Sequence, residues 1–210
     1  GFAHVWVCGS TGTRTIAHHR SQAGVSAHDL PEAALSRCRA VHLDGHPGEA
    51  ALALARAARQ HGALVMLDAG SPKPGVESLL PLVDVLNVPR RFLEAHFGDD
   101  DVTRGLDRLG ALGPGWVTVT DGEQGATLGT GSRRWHAAPP TLEAVDTNGA
   151  GDVFSGALLH AALTEKPAEA ALVFAVAASA VKCQGVGNRE ALPTAPAIEA
   201  MARHVERRAC

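Results

Sequence analysis

Short apolar runs alternate with stretches of helical period from residue 40 onward. Val41-His42-Leu43-Asp44-Gly45 reads as a brief strand ending in a turn, and Glu49 to His61 as an alanine-rich helix closed by Gly62. Ala63-Leu64-Val65-Met66-Leu67-Asp68 is apolar without alternation, the pattern of a parallel strand covered on both faces. The pattern then predicts a helix near 75–82, a strand over Val83–Asn87, helices near 89–97 and 101–112, and a strand over Trp116–Thr120. Residues 125–137 read as a hairpin, followed by helices at about 150–164, 167–184 and 196–208. Upstream, residues 3–8 read as a strand, Gly9-Ser10-Thr11-Gly12 as a turn, Thr13–Ile16 as the returning strand, and Pro31–Leu35 as a short helix. Strands alternating with helices argue an α/β layered fold with a mainly parallel central sheet flanked by helices. Ligands collect at the carboxyl ends of strands in such sheets. Three predicted ends carry polar residues: Asp68–Lys73, Asn87, and Thr120–Gly122.

Composition narrows the classes. A chain of 210 residues can bury one sizeable core. A formal net charge of -3 gives no reason to expect a nucleic-acid or membrane-surface partner. No apolar run approaches the ~20 residues of a membrane span, and no secretory leader is visible. Cys8, Cys38, Cys183 and Cys210 lack CxxC spacing and read as thiols of a reducing, cytoplasmic compartment. The chain opens without Met inside a predicted strand, so the expectation is that the start of the fold precedes it.

The most informative passage is Asp146-Thr147-Asn148-Gly149-Ala150-Gly151-Asp152, followed at once by the apolar helical run Val153-Phe154-Ser155-Gly156-Ala157-Leu158-Leu159. A helix starting there points free N–H groups and the positive end of its dipole at whatever lies before it. Missing side chains at Gly149 and Gly151 let an anion approach the backbone. Asp152 at the rim then reads as a general base that takes a hydroxyl proton while Gly149, Ala150 and Gly151 hold developing phosphate charge. The competing reading is a turn and an N-cap before an apolar helix.

The whole string resembles the Asp-Thr-x-Gly-Ala-Gly-Asp signature of the ribokinase/PfkB-type carbohydrate kinases. Val117–Ala126 resembles that family's Val-Thr-x-Gly-x-x-Gly-Ala strand and turn, and Lys182–Thr194 its late segment beside the adenine. The resemblance implies a ribokinase-like layered fold, ATP and Mg2+ as cofactors, and a small-molecule sugar substrate. It leaves a homodimer open. Lys182-Cys183 and Arg189–Pro193 favour its ketohexokinase- or fructokinase-like branch. Asn87 falls where the family's Asn-x-x-Glu motif positions metal and phosphate, but the glutamate place is Arg90; an N-cap before Pro89 is the alternative. Lys73 could pair with ATP phosphates or stand as an exposed loop lysine. Thr120 and Gly122 could touch the nucleotide or simply turn the chain. Gly185 and Gly187 could lie against a planar base or cap a helix. Asp146 and Thr147 fall on the family's monovalent-cation loop, which would hold K+, with capping as the competing role.

The family's N-terminal early Asp and Gly-Gly-x-x-x-Asn helix start are not found in this sequence. The expected division is a remnant of lid or substrate-side strands over 1–20 and a nucleotide-binding, phosphoryl-transfer unit over 21–210. Two further readings stand beside a sugar kinase. One is a nucleotide- or sugar-binding module of the same fold with impaired catalysis. The other, a dinucleotide-binding oxidoreductase, needs a Gly-x-Gly-x-x-Gly after the first strand that is absent.

Overall fold

A computed structural model of the chain describes residues 2–8, 14–19, 24–30, 32–46 and 48–210. The turn predicted at Gly9–Gly12, with Thr13 and Pro31, lies outside the described residues. Strands β1 (Phe2–Val7) and β2 (Arg14–His19) pair antiparallel as a separate two-stranded sheet, with Val5 opposite Ile16. Helix α1 (Glu32–Leu35) leads into the main body.

The main sheet has seven strands in sequence order: β3 (Ala40–Leu43), β4 (Leu64–Asp68), β5 (Val85–Pro89), β6 (Trp116–Thr120), β7 (Ala126–Thr130), β8 (Arg133–Ala138) and β9 (Glu206–Ala209). β3 to β6 are parallel, and the sheet turns antiparallel from β6 to β9. Helices α2 (Glu49–Gln60), α3 (Arg90–Phe97) and α4 (Val102–Gly110) lie on the connections within the parallel half. Helices α5 (Ala150–Leu163), α6 (Ala168–Cys183) and α7 (Ala195–Ala202) follow the β7–β8 hairpin.

The unalternating β4 is explained by two cores. Val65 and Leu67 join the cluster under α2 to α4, while Met66 joins the cluster under α5 to α7. Successive side chains of a strand point to opposite faces, so burial on both faces removes the polar alternation. Helix α6 is packed nearly all round, with Leu172, Ala175 and Ala177 without exposed surface.

Three expectations are corrected. The stretch predicted as a helix near 75–82 forms two 3₁₀ turns, Val76–Ser78 and Leu80–Leu82. Gly75 enters the first in a left-handed conformation and Pro81 opens the second, so no continuous α ladder can run through. The last predicted helix, 196–208, ends at Ala202, and Glu206–Ala209 pairs with β8 instead. The strand predicted over Val83–Asn87 sits two residues later, at Val85–Pro89.

Candidate active site

β4, β5 and β6 lie side by side, with Asp68, the last residue of β4, in register with Asn87 in the middle of β5, and Asn87 with Thr118 in the middle of β6. A one-way chain of donors crosses them. Thr118 Oγ1 donates to Asn87 Oδ1 (2.7 Å), Asn87 Nδ2 to Ser155 Oγ (3.0 Å), and Ser155 Oγ to Asp68 Oδ2 (2.6 Å). Asn87, Thr118 and Ser155 are buried, so these bonds satisfy groups that could not be left bare. The chain pins the second turn of α5 onto the end of β4 and the middle of β5. Burial pushes the Asp68 carboxyl above its ordinary value, opposed by the Ser155 hydrogen bond and the His42 charge, while the nearby Asp152 charge raises it further. Asn87 does not cap α3, whose N-cap is Pro89.

The first turn of α5 is open. Gly149 is its N-cap, left-handed at φ 77° and with no side chain to cap the helix. Ala150 N–H reaches Thr147 O (3.3 Å) and Val153 N–H reaches Gly149 O (3.0 Å). Gly151 and Asp152 have no such backbone acceptor among the described residues. Gly149 needs to be glycine twice over: an added Cβ would be strained at that φ and would stand 2.8 Å from Asn188 Oδ1. Gly151 has no such packing reason, since a Cβ there would meet nothing within 4 Å.

Gly151, Ala150 and Thr147 border a cavity of about 650 Å³ between the β6–β7 turn, the 139–144 segment and the end of α6. Thr120 and Gly122 line it as well. Of its far wall, Cys183 falls in the Lys182–Thr194 segment, while Pro139, Leu142 and Ser179 carry no signal in the sequence, because they lie in irregular chain and on one face of an apolar helix. Burial pushes the Cys183 thiol up. A second cavity of about 380 Å³ lies across α5, bordered by Gly149, Asp152, His160 and Asn188. The first turn of α5 therefore divides the two, with Gly151 bordering one and Asp152 the other.

The remaining expected residues sit elsewhere. Lys73 lines neither cavity and its Nζ bonds Ser71 Oγ at 3.4 Å. Gly185 packs against Ala191, where a Cβ would come within 2.9 Å, and Gly187 donates its N–H to Asp146 Oδ2 (3.0 Å); neither lines the larger cavity. Asp146 Oδ1 accepts from Asn148 N–H (2.9 Å), and the Lys182 ammonium lies 2.8 Å from Asp146 O and 3.4 Å from its Oδ2. The two backbone donors, with Lys182 adding its charge, hold the Asp146 carboxyl below its ordinary value. Arg90, in the expected glutamate place, bridges Asp121 and Asp100 at 3.0 Å each and so ties α3 to the turn that carries Gly122. No group of three or more His, Cys, Asp or Glu that could hold a metal ion occurs among the described residues. No helix of the described residues is long and apolar enough to cross a membrane.

Comparison with known proteins fits this arrangement. The ATP-dependent ribose-1-phosphate kinase of Halopiger xanaduensis is 31% identical over 178 residues, 84% of this chain and 58% of that protein. The ribokinase structure from Thermotoga maritima superposes with a TM-score of 0.82 at 26% identity, covering 96% of this chain and 69% of that one. An Escherichia coli protein described as a putative ribokinase II in complex with ATP and Mg2+ has the same fold, with a TM-score of 0.82 at 21% identity over 96% of this chain and 70% of that one. The chain thus spans 58% of the length of its Halopiger relative. The pfkB family carbohydrate kinase profile matches residues 3–195, and the chain belongs to that family.

Proposed function

We propose that this chain carries ATP-dependent phosphorylation of a sugar hydroxyl, with Asp152 as the base and the first turn of α5 as the anion hole. The observation that carries the reading is that turn: two unclaimed N–H groups and a carboxylate on one helix end between two cavities. The larger cavity suits the nucleotide, with Thr120, Gly122 and Thr147 on its walls. ATP would supply the phosphoryl group, and magnesium would arrive with it to offset its charge. Gly151 and Asp152 N–H would bind the transferring group's oxygens, helped by the helix dipole. Asp152 would accept the hydroxyl proton as the sugar oxygen takes the phosphoryl group.

Lys73, Gly185 and Gly187 receive no nucleotide role here. Asn87 acts on the site through Ser155. In this reading residues 1–20 would be a remnant of lid or substrate-side strands and residues 21–210 the nucleotide-binding, phosphoryl-transfer unit. A cytoplasmic setting and a homodimer belong to the same reading. The first is supported by Cys38, Cys183 and Cys210 forming no disulfide, the second by Phe2, Val5, Trp6 and Ile16 standing exposed on the two-stranded sheet. The substrate panel pairs ketohexoses, from the late-segment resemblance, with ribose-1-phosphate, from the Halopiger relative's name.

A second reading, a nucleotide-binding module with impaired turnover, is favoured by one observation: Arg90 stands in the glutamate place and is engaged by two aspartates. Asp152→Asn decides between them. ADP release is followed across the sugar panel, on the complete gene product and on the 210-residue chain. The kinase reading expects kcat to fall by ~10²–10⁴ with nucleotide affinity retained; turnover equal to the parent removes Asp152 from the mechanism.

A further inference from the structure

The loop expected to hold potassium already contains a cation. Lys182 rises from the last turn of α6, and its side chain is 0% exposed. A buried ammonium is costly unless it is paired and hydrogen-bonded. Its partners are the carbonyl and the carboxylate of one residue, Asp146, at 2.8 and 3.4 Å. That carboxylate also accepts the N–H of Asn148 and of Gly187. The next residue of α6 completes the grip, because Cys183 O accepts the N–H of Val145 (2.8 Å) and of Asp146 (3.2 Å). A mobile monovalent ion at Asp146 would have to displace a covalently tethered one, and both of its carboxylate oxygens are engaged. The residues present do not fit the ion.

We propose that the ammonium of Lys182 substitutes for a bound monovalent cation, fixing the loop that delivers Thr147 and Gly149 to the site and making the chain independent of potassium. Potassium, where it binds such a loop, supplies one positive charge surrounded by oxygens. Lys182 supplies the same charge with three N–H donors on a stem anchored in a helix. It gives directional hydrogen bonds and cannot dissociate. The consequence for the proposed kinase, on which the activity arm of this inference rests, is an anion hole whose supporting loop is set at any salt composition. The dipole end of α5 and the Gly187 turn are held to each other by this one side chain and Asp146.

The test compares potassium chloride with N-methylglucamine chloride at equal ionic strength. Three readouts are taken on the full chain: the thermal unfolding midpoint, the affinity for ATP and the initial rate of ADP release. The wild-type protein is expected to show the same midpoint and the same rate, within about twofold, in both salts, because an ion that binds the native state would raise the midpoint with concentration. Lys182→Met keeps the stem and removes the charge; its midpoint is expected to fall in N-methylglucamine and to recover as potassium is added. A saturable rise of the wild-type midpoint or rate with potassium overturns the proposal, whether or not the variant folds. So does a Lys182→Met protein as stable and as tight for ATP without potassium as its parent. The midpoint does not depend on turnover. A potassium-insensitive midpoint in a protein without kinase activity therefore keeps the Lys182 assignment while the kinase reading fails.

Discussion

Helices α4 and α5 begin in opposite ways. At α4 the N-cap is Asp101, whose carboxylate accepts the N–H of Arg104 at 2.8 Å. At α5 the N-cap is a glycine with nothing to offer, and the N–H groups of Gly151 and Asp152 are left over. Every helix has the same surplus of donors. The first helix satisfies one of them internally, as a structural element should. The second keeps its donors in the wall of a cavity. Gly151 sharpens the contrast, because glycine in a helix costs about 1 kcal/mol relative to alanine and no neighbour requires it. A cost without a packing reason is what a ligand's approach path would leave behind.

The largest expected effect breaks the contrast at Gly151. Gly151→Val adds a branched side chain at a position that borders the cavity and where a Cβ meets no atom within 4 Å. Turnover should fall by ~10² or more, the scale of losing one oxyanion donor, while the unfolding midpoint stays close to the parent's. The smaller Gly151→Ala should show the two properties moving apart: a gain of up to about 1 kcal/mol in denaturant unfolding with reduced turnover. If alanine leaves both unchanged, the approach path lies elsewhere.

The converse change is made at α4. Asp101→Ala should cost about 1 kcal/mol of stability and leave kcat untouched, since Asp101 lines neither of the two cavities at α5. A change in kcat there would erase the distinction between the two helix ends.

The smallest effect lies in the loop that feeds α5. The Asp146 carboxyl is held below its ordinary value of 3.8, chiefly by the N–H groups of Asn148 and Gly187. A lowered carboxyl contributes stability that is complete above the ordinary value and is lost as pH falls through the lowered one. The stability difference between wild type and Asp146→Asn should therefore be constant from neutral pH down to about that ordinary value, and shrink below it. Urea titrations at a series of pH values measure it; a difference that grows on acidification contradicts the assignment.

The parts of the molecule legible in the sequence are those whose causes are local. Residues 146–152 carry their turn, glycines and carboxylate in one string, and the even apolarity of Leu64–Leu67 reports burial on both faces. What was missed depends on residues far apart in the chain. Glu206-Arg207-Arg208-Ala209 has no strand-like alternation and extends only because β8 offers it partners. Lys182 stands out in the sequence only through its resemblance to a family segment, and its pairing with Asp146, thirty-six residues earlier, is visible only in the fold. Asn87 lies inside β5 rather than at its expected end, and its amide is engaged with Ser155 and Thr118, which no spacing rule reveals. The wall at Pro139–Leu142 is irregular chain, whose position is set by what it packs against.

The last strand of the main sheet carries a consequence of its own. β9 is four residues long, exposed throughout, and presents Glu206, Arg207 and Arg208. A long, flat, apolar edge invites another chain to add to it, whereas a short edge dense in charge resists that addition. By pairing with β8, residues Glu206–Ala209 cover the backbone beside Trp135 and His136 and leave a charged border in its place. That quartet guards against aggregation, and its value would appear in shelf life and in recovery from concentrated solution.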